Sequence, residues 1–288
     1  MLGAASGAVL YKIAMSSVRC SVANDVGGIE IMHASYLGHR FPPHFHDAYS
    51  VSVTRRGGVA FDHRGCKHVA GSGVISAVDP GEVHNAYPAT GGVWTFVCLL
   101  VPAPVMESLA GRRAPGFPRR IIDDPRLAAA LNALHDALDT SPDTLERQSR
   151  AVTALAELVR RHSTAAAPPP PRRDGAIARA RELLDEPGGE RITLDRVSAV
   201  AGLSPYHFLR TFRAEVGLTP HAYLNHVRVA RARKLLGDGV PPAEVAARCG
   251  FCDQSHLGRL FKAHVGVTPG QYARSAPARS PGSPSPRR

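Results

Sequence analysis

The sequence predicts an α+β chain of several domains: an N-terminal β-barrel, helices after it, and an all-α C-terminal domain built from two helix-turn-helix units. Three observations carry this. Residues 30 to about 101 alternate with the period of strands, residues 125–163 switch to the period of helices, and residues 192–272 contain one pattern twice.

The first 28 residues show neither period and are expected to be a disordered lead-in, within which Met15 competes with Met1 as the start. Strands begin after it. Tyr49, Val51 and Val53 alternate with Ser50, Ser52 and Thr54, as in a half-buried strand. Gly57-Gly58 is a turn signal, Val59–Phe61 a short strand, and His63-Arg64-Gly65-Cys66 a hairpin. Val74–Val78 and Val93–Val101 are further strands, the second apolar enough to be buried on both faces. Short strands at this spacing, over residues 29–104, suit a small barrel or jelly roll.

The next segment, 120–163, is helical. Leu127, Leu131, Leu134 and Leu138 form one stripe after an Asp124-Pro125 start. A second helix follows Ser141-Pro142 and places Leu145, Val152, Leu155 and Val159 on one broad face. Such stripes serve either as internal core or as a seam between two copies of the chain. Residues 164–173 include the Ala/Pro run Ala165–Pro171 and read as a semi-rigid linker, while 275–288 are rich in Pro, Ser and Arg and are expected to be a disordered tail.

Between them, residues 174–274 hold the repeat. Val197, Ala201 and Gly202 match Val245, Cys249 and Gly250 at an offset of 48. After the turn the offset is 49, pairing His207, Phe208, Arg210 and Phe212 with His256, Leu257, Arg259 and Phe261, and Thr219-Pro220 and Tyr223 with Thr268-Pro269 and Tyr272. One residue inserted in the second turn explains the change. In each copy a short helix bearing an apolar stripe (Leu194, Val197, Val200 and Ala201 in the first) ends at a glycine, which supplies positive φ. Ser204 is suited to cap the next helix and Pro205 to open it. Phe208 and Phe212 then face inward, leaving Tyr206, Leu209, Arg210 and Arg213 outside; in the second copy Leu257 and Phe261 face inward, and Gln254, Ser255, Arg259 and Lys262 face out. Arginine pairs bidentately with guanine and glutamine with adenine in the major groove, so this surface suits double-stranded DNA.

Charge agrees. The net charge is +11, of which residues 1–171 contribute +2 (16 basic, 14 acidic), residues 172–274 +6 (16 and 10) and the tail +3. A basic C-terminal half favours a polyanionic partner. No run of about 18 apolar residues exists, which excludes a hydrophobic transmembrane helix. Cys20, Cys66, Cys98, Cys249 and Cys252 are odd in number and sparse, which suits a reducing cytoplasm. Cys249 and Cys252 form a C-x-x-C pair, but no second pair closes a metal site around it.

The stretches "GLSPYHFLRTFRAEVGLTPHAYLNHVRVARARKLL" and "AARCGFCDQSHLGRLFKAHVGVTPGQY" resemble the AraC family of transcription regulators, and the resemblance extends over nearly the whole chain. It implies two helix-turn-helix subdomains joined by a long helix, here about Pro220–Leu236 with Thr219 as its cap. By position, Tyr206, Leu209 and Arg210 would read bases from the first recognition helix, next to Pro205 at its start, and Gln254, Ser255, Gly258 and Arg259 from the second. Gly258 departs from the usual side-chain-bearing residue, which weakens direct readout there. Arg213 and Lys262, further along, are placed for phosphate. The family also implies a homodimer paired through the helices of 120–163, and RNA polymerase as a partner if the regulator is an activator.

The N-terminal half carries Pro43-His44-Phe45-His46-Asp47 and Pro80-Gly81-Glu82-Val83-His84, similar to the cupin-like sensing domain of that family. His44, His46 and His84 then occupy cupin metal positions, yet Ser50 and Val51 stand where an enzymatic cupin has a carboxylate. Three readings remain open: a metal site, a metal-free effector pocket, or histidines that cap strand ends. The incomplete ligand set favours the second, with no metal or other cofactor and with His44, His46, Tyr49, Glu82, His84 and Trp94 as pocket residues for an effector of unknown identity. The expected function is therefore a cytoplasmic, non-enzymatic, effector-controlled DNA-binding regulator. Its rivals are a cupin-type metal enzyme fused to a DNA-binding module and a constitutive DNA-binding dimer.

Overall fold

The computed structural model describes residues 16–111, 114–165, 175–186 and 192–275. The chain runs β1 (Ser17–Ala23), a 3-10 turn, β2 (Ile29–Leu37), β3 (Phe41–His44), β4 (Ala48–Arg56), β5 (Val59–His63), β6 (Cys66–Ala70), β7 (Ile75–Val78), β8 (His84–Pro88) and β9 (Val93–Pro102). Helix α1 (Ala103–Ala110), the short strands β10 (Pro115–Gly116) and β11 (Ile121–Ile122), α2 (Pro125–Thr140), α3 (Thr144–His162) and β12 (Thr164–Ala165) complete the N-terminal part. The C-terminal part is helical: α4 (Ala176–Asp185), α5 (Leu194–Ala201), α6 (Pro205–Val216), α7 (Pro220–Gly237), α8 (Pro242–Arg248), α9 (Gln254–Val265) and α10 (Pro269–Ser275).

A six-stranded sheet, β1-β2-β9-β4-β7-β11, is joined by a four-stranded sheet, β3-β8-β5-β6. The β5–β6 hairpin closes on Arg64 and Gly65, both at positive φ (49° and 78°), the conformation of a tight two-residue turn. The expected lead-in is corrected here: β1 pairs with β2 in antiparallel register from Ser17↔Ser35 to Ala23↔Ile29 and buries Val18, Cys20 and Ala23. Its alternation spans few residues and sits beside a run without period, which hid it. Residues 1–15 lie outside the described residues, as does most of the expected linker and nearly all of the expected tail.

Pleating sorts side chains into separate cores. On β9, Val97, Leu99 and Val101 join Tyr49, Val51 and Val53 of β4 against α2 and α3, while Trp94, Phe96, Cys98 and Leu100 point the other way. Asp124 caps α2 by accepting from the Leu127 amide, and Leu127, Leu131, Leu134 and Leu138 are buried as their stripe predicts. On α3 the buried arc is Ala151, Ala154, Leu155, Leu158 and Val159, whose two alanines leave room for neighbouring helices to pack closely. Leu145 (72% exposed) and Val152 (57%) lie outside this arc, a correction to the single broad face expected. They stand roughly a quarter turn from its centre.

On α2, His135 is buried (1% exposed), its Nδ1 3.5 Å from an Asp136 carboxylate oxygen and its ring 5.2 Å from that of His33. Burial first, then the nearby Arg55 and His33, pushes its pKa down from 6.5 to about 4. The unfolded chain therefore binds this proton at a higher pH than the folded one, so the stabilisation is complete above pH 6.5 and is lost as pH falls towards 4. Thermal unfolding at pH 7 and pH 5 should show an acid-dependent drop that is smaller in His135→Leu; an equal drop in the variant removes His135 as its source.

In the C-terminal part, α5 buries Val197, Ser198 and Ala201, while Leu194 and Val200, expected in its stripe, are exposed because packing uses a narrower arc of so short a helix. Helix α4, which the repeat does not include, adds Ile177, Ala180, Leu183 and Leu184 to the core of Phe208, Phe212 and Tyr223. The duplication is visible in matching details: Gly202 and Gly250 at φ 70° and 74°, Gly217 and Gly266 at φ 80° and 85°. Thr219 accepts from the Ala222 amide at the start of α7, and Thr268 accepts from Gln271 at the start of α10.

Candidate DNA interface and effector pocket

Helices α6 and α9 present the outward face that the spacing predicts. Phe208, Phe212, Leu257 and Phe261 are fully buried, whereas Tyr206 (72% exposed), Leu209, Arg210, Arg213, Gln254, Ser255, Arg259 and Lys262 are exposed and Gly258 is half-buried. Arg210 sits over the Tyr206 ring one helical turn back, its guanidinium carbon 6.0 Å from the ring centre. Among the described residues no carboxylate pairs with Arg210, Arg213, Arg259 or Lys262. Unpaired cations on an open helix face keep their attraction for phosphate and bases. Helix entry is built differently in the two copies. Asp253 caps α9 by accepting from the His256 amide at 2.6 Å, while Ser204 takes the cap position of α6 with extended backbone and makes no side-chain bond. Cys249 and Cys252 are free; Cys249 is buried in the turn, and burial raises its thiol pKa.

The second site is a cavity of about 450 Å³ lined by both sheets and covered on one side by the C-terminal helices. Its strand walls offer Phe41, Phe61, Trp94, Phe96 and Leu100, with the hydroxyls of Ser50, Ser52, Thr54 and Ser76. Its roof is His226, Val229, Ala230 and Arg233 of α7, and His264 and Val265 of α9. Arg233 reaches Glu30 of β2 at 3.3 Å.

Four of the expected pocket residues line it: His44, His46, His84 and Trp94. Tyr49 does not. It points to the opposite face of β4, packs edge-on against Phe117 and donates its hydroxyl to the Pro115 carbonyl at 2.7 Å. The period-2 rule placed it correctly on a face; the error lay in taking the apolar face of β4 for the pocket side, when its hydroxyl face is. Glu82 is likewise outside the lining. Its carboxylate is held by Arg120 (2.6 Å), Arg64 (2.9 Å) and His63 (3.0 Å), and Arg120 also holds Asp79 at 3.0 Å. Burial opposes ionisation of Glu82, but His63 and Arg120 outweigh it and keep its pKa low. This ion network fixes the turn that delivers His84.

The three histidines meet. One ring nitrogen from each of His44, His46 and His84 lies within 4.8 Å of the others. Burial pushes the pKa of all three down, strongly for His44 and His46. Phe45, between two of them, also borders the cavity and stacks on Tyr223 of α7 with ring centres 5.5 Å apart, joining the core of the first helix-turn-helix unit. Tyr36 of β2 does the same for the second unit, donating its hydroxyl to the Val265 carbonyl at 2.7 Å. The residues missed from sequence are those of the roof. The available signal was α7 itself, whose apolar residues are spread around the helix rather than in one stripe, as in a helix covered on several sides.

Comparison with known proteins assigns a domain to each half of the chain. Residues 26–158 match the AraC-like ligand binding domain, and residues 197–275 match the Helix-turn-helix domain. The chain belongs to the AraC family of transcription regulators. As an AraC-family regulator it has an N-terminal ligand-binding domain and a C-terminal DNA-binding domain. It is 29% identical to the uncharacterized HTH-type transcriptional regulator YbfI of Bacillus subtilis (strain 168) over 235 residues, covering 80% of this chain and 86% of that protein. It is 24% identical to the HTH-type transcriptional activator RhaS of Klebsiella pneumoniae (strain 342), over 80% of this chain and 86% of RhaS. Among solved structures, ToxT from Vibrio cholerae strain SCE256 with unsaturated fatty acid bound superposes with a TM-score of 0.55 at 11% identity, covering 92% of this chain and 97% of ToxT. That likeness shows that the AraC-family regulator shares the two-part fold of ToxT.

Proposed function

We propose that this AraC-family regulator reads an operator with α6 and α9 and is controlled by a small organic molecule, with an apolar body and a polar head, held under α7. The observation that carries the reading is the double ownership of the cavity: strands form its walls, and the helix joining the two DNA-reading units forms its roof. A molecule filling it touches both parts at once, so its binding energy can differ between two arrangements of those parts, which is what allosteric control requires. Tyr206, Leu209 and Arg210 in one unit, and Gln254, Ser255 and Arg259 in the other, are the proposed base readers; Arg213 and Lys262 are proposed phosphate contacts. ToxT, with its bound fatty acid, is one member of this fold that holds an apolar molecule.

The active species is proposed to be a homodimer. Leu145 and Val152 are exposed two turns apart on α3, with Ser149 and the half-buried Ala156 on the same line. A stripe of large and small residues at steps of four, three and four suits antiparallel or parallel pairing with a second copy. No described helix is long and apolar enough to cross a membrane, and all five cysteines are free; both fit the proposed cytoplasmic setting, with RNA polymerase as partner where the dimer activates. A catalytic role is not proposed: Glu82, the carboxylate next to the histidines in sequence, is engaged by Arg120, Arg64 and His63.

Selection of DNA from a random pool by the full-length protein tests this. Enrichment of two unlike sequence elements about one helical turn apart (roughly 10–10.5 base pairs) is expected. Failure to enrich any element would overturn sequence-specific binding.

A further inference from the structure

We propose that one ring nitrogen from each of His44, His46 and His84 binds a single divalent transition-metal ion, and that the ion acts on the first helix-turn-helix unit through Phe45. The coupling half of this proposal rests on the regulatory reading above; the metal half does not.

The geometry is already that of a ligand set. One nitrogen from each ring lies within 4.8 Å of the other two, and the rings are close, 4.5 Å between the centres of His44 and His84 and 5.0 Å between His44 and His46. In two of the three the other nitrogen is occupied. His44 Nδ1 donates to the Pro42 carbonyl at 2.8 Å, and His84 Nδ1 donates to the Glu82 carbonyl at 3.0 Å. A backbone carbonyl on Nδ1 fixes the tautomer that leaves Nε2 with a free lone pair, which is the usual support of a metal-bound imidazole. The Glu82 carbonyl is in turn held in place by the Arg120 network around its own side chain.

Three neutral imidazoles select late first-row ions such as zinc, cobalt or nickel over magnesium and calcium, which require oxygen donors. Closing to bonds of about 2.0–2.1 Å needs only a small inward movement of the rings. Three protein ligands leave a coordination position for water or for a donor atom of a molecule in the cavity. The absence of a carboxylate among the ligands, which in sequence argued against a metal, leaves the ion its full charge and an affinity for an anionic or strongly donating fourth ligand.

The coupling follows from alternation. His44 and His46 face the ion while Phe45, between them, is buried against Tyr223 and lies 4.3 Å from the His226 ring, both on α7. Drawing the two histidines inward must move the ring between them, and that ring is part of the core that seats α6.

The test uses the full-length protein, stripped with a chelator and titrated with zinc ion against a chromophoric competitor. One equivalent should bind, magnesium should not compete, and His46→Ala and His84→Ala should each weaken binding about tenfold or more. His226→Ala, outside the ligand set, should retain the stoichiometry. Because an alanine variant could fold poorly, the wild-type protein loaded with cobalt(II) gives a second readout: proton resonances shifted by the paramagnetic ion should include three imidazoles, two of them with exchangeable Nδ1 protons. Absence of stoichiometric zinc binding, undiminished affinity in folded His46→Ala and His84→Ala, or cobalt-shifted signals from other residues would each overturn the site. For the coupling, zinc should change DNA affinity about fivefold or more in the wild type and not in His84→Ala. If zinc binds the three histidines and DNA affinity is indifferent to it, the coupling is overturned, while operator selection by the metal-free protein still judges the DNA-reading proposal separately.

Discussion

Gly266→Ala is expected to loosen the barrel from the second helix-turn-helix unit and to destabilise the protein by about 2 kcal/mol or more. Two independent costs meet at this residue. Its φ is +85°, the left-handed conformation that ends α9, and a side chain there costs about 1–2 kcal/mol. In addition, a Cβ would lie 2.7 Å from Cζ of Tyr36 and closer still to Cε1. That ring cannot move aside. It is fully buried, it packs against His39, Phe41, Trp94 and Phe96, and its hydroxyl donates to the Val265 carbonyl. Gly202→Ala separates the two costs, since Gly202 has φ +70° and open space where its Cβ would be. Thermal or denaturant unfolding should therefore show a larger loss for Gly266→Ala than for Gly202→Ala. Combining Gly266→Ala with Tyr36→Ala should cost less than the sum of the two, because the steric conflict then has no second partner. Equal losses at Gly202 and Gly266, together with strict additivity, would mean that Tyr36 does not hold this unit.

What could be read from the sequence followed the strength of local periodicity. Helix α7 and the start of α6 were legible almost to the residue, because capping residues, buried aromatic residues and a second copy of the pattern all point to the same boundaries. The apolar stripe of α2 was equally clear. Strand β1 was not, because its seven residues derive their stability from pairing with β2, a partner that local pattern does not reveal. Tyr49 shows a second limit. Alternation assigns a residue to one of two faces but does not say which face meets helices and which meets a cavity, and here the hydroxyls of Ser50 and Ser52 took the cavity. Leu145 and Val152 show a third: an apolar residue near the edge of a stripe is settled by how closely the neighbouring helix packs, which alanines at 151 and 154 determine on α3. The candidate site divides in the same way. His44, His46 and His84 could be named from two short motifs, whereas His226 and Arg233 reach the cavity only through the packing of one half of the chain on the other.

Arg210→Ala and Arg259→Ala should each weaken operator binding by about 1–3 kcal/mol, roughly six- to more than a hundredfold, and each should relax sequence preference at one groove only. Both guanidiniums are exposed on the outward faces of α6 and α9 without a carboxylate partner among the described residues, so no internal ion pair is lost with them. A fall in affinity would then report on DNA rather than on folding, which unchanged thermal unfolding of the variants would verify. The two positions are not equivalent. Arg210 lies against Tyr206 and has a large neighbour to orient it, whereas Arg259 follows Gly258, which offers no side chain to the groove. Tyr206→Ala should consequently impair the same base step as Arg210→Ala, and the two losses should be less than additive. Arg213 and Lys262 lie nearer the C-terminal ends of their helices and are the proposed contacts to the backbone of the duplex. Replacing either by alanine should weaken binding to all sequences alike and lower the slope of log affinity against log salt by about one. The two recognition helices belong to one chain and carry different readers, so their half-sites should be unlike and lie in successive major grooves, roughly 34 Å apart along the axis. Footprinting of a single protomer site and binding selections with each variant check this together. A footprint confined to one groove, or Arg210→Ala and Arg259→Ala variants with the sequence preference of the wild type, would rule out reading by both helices.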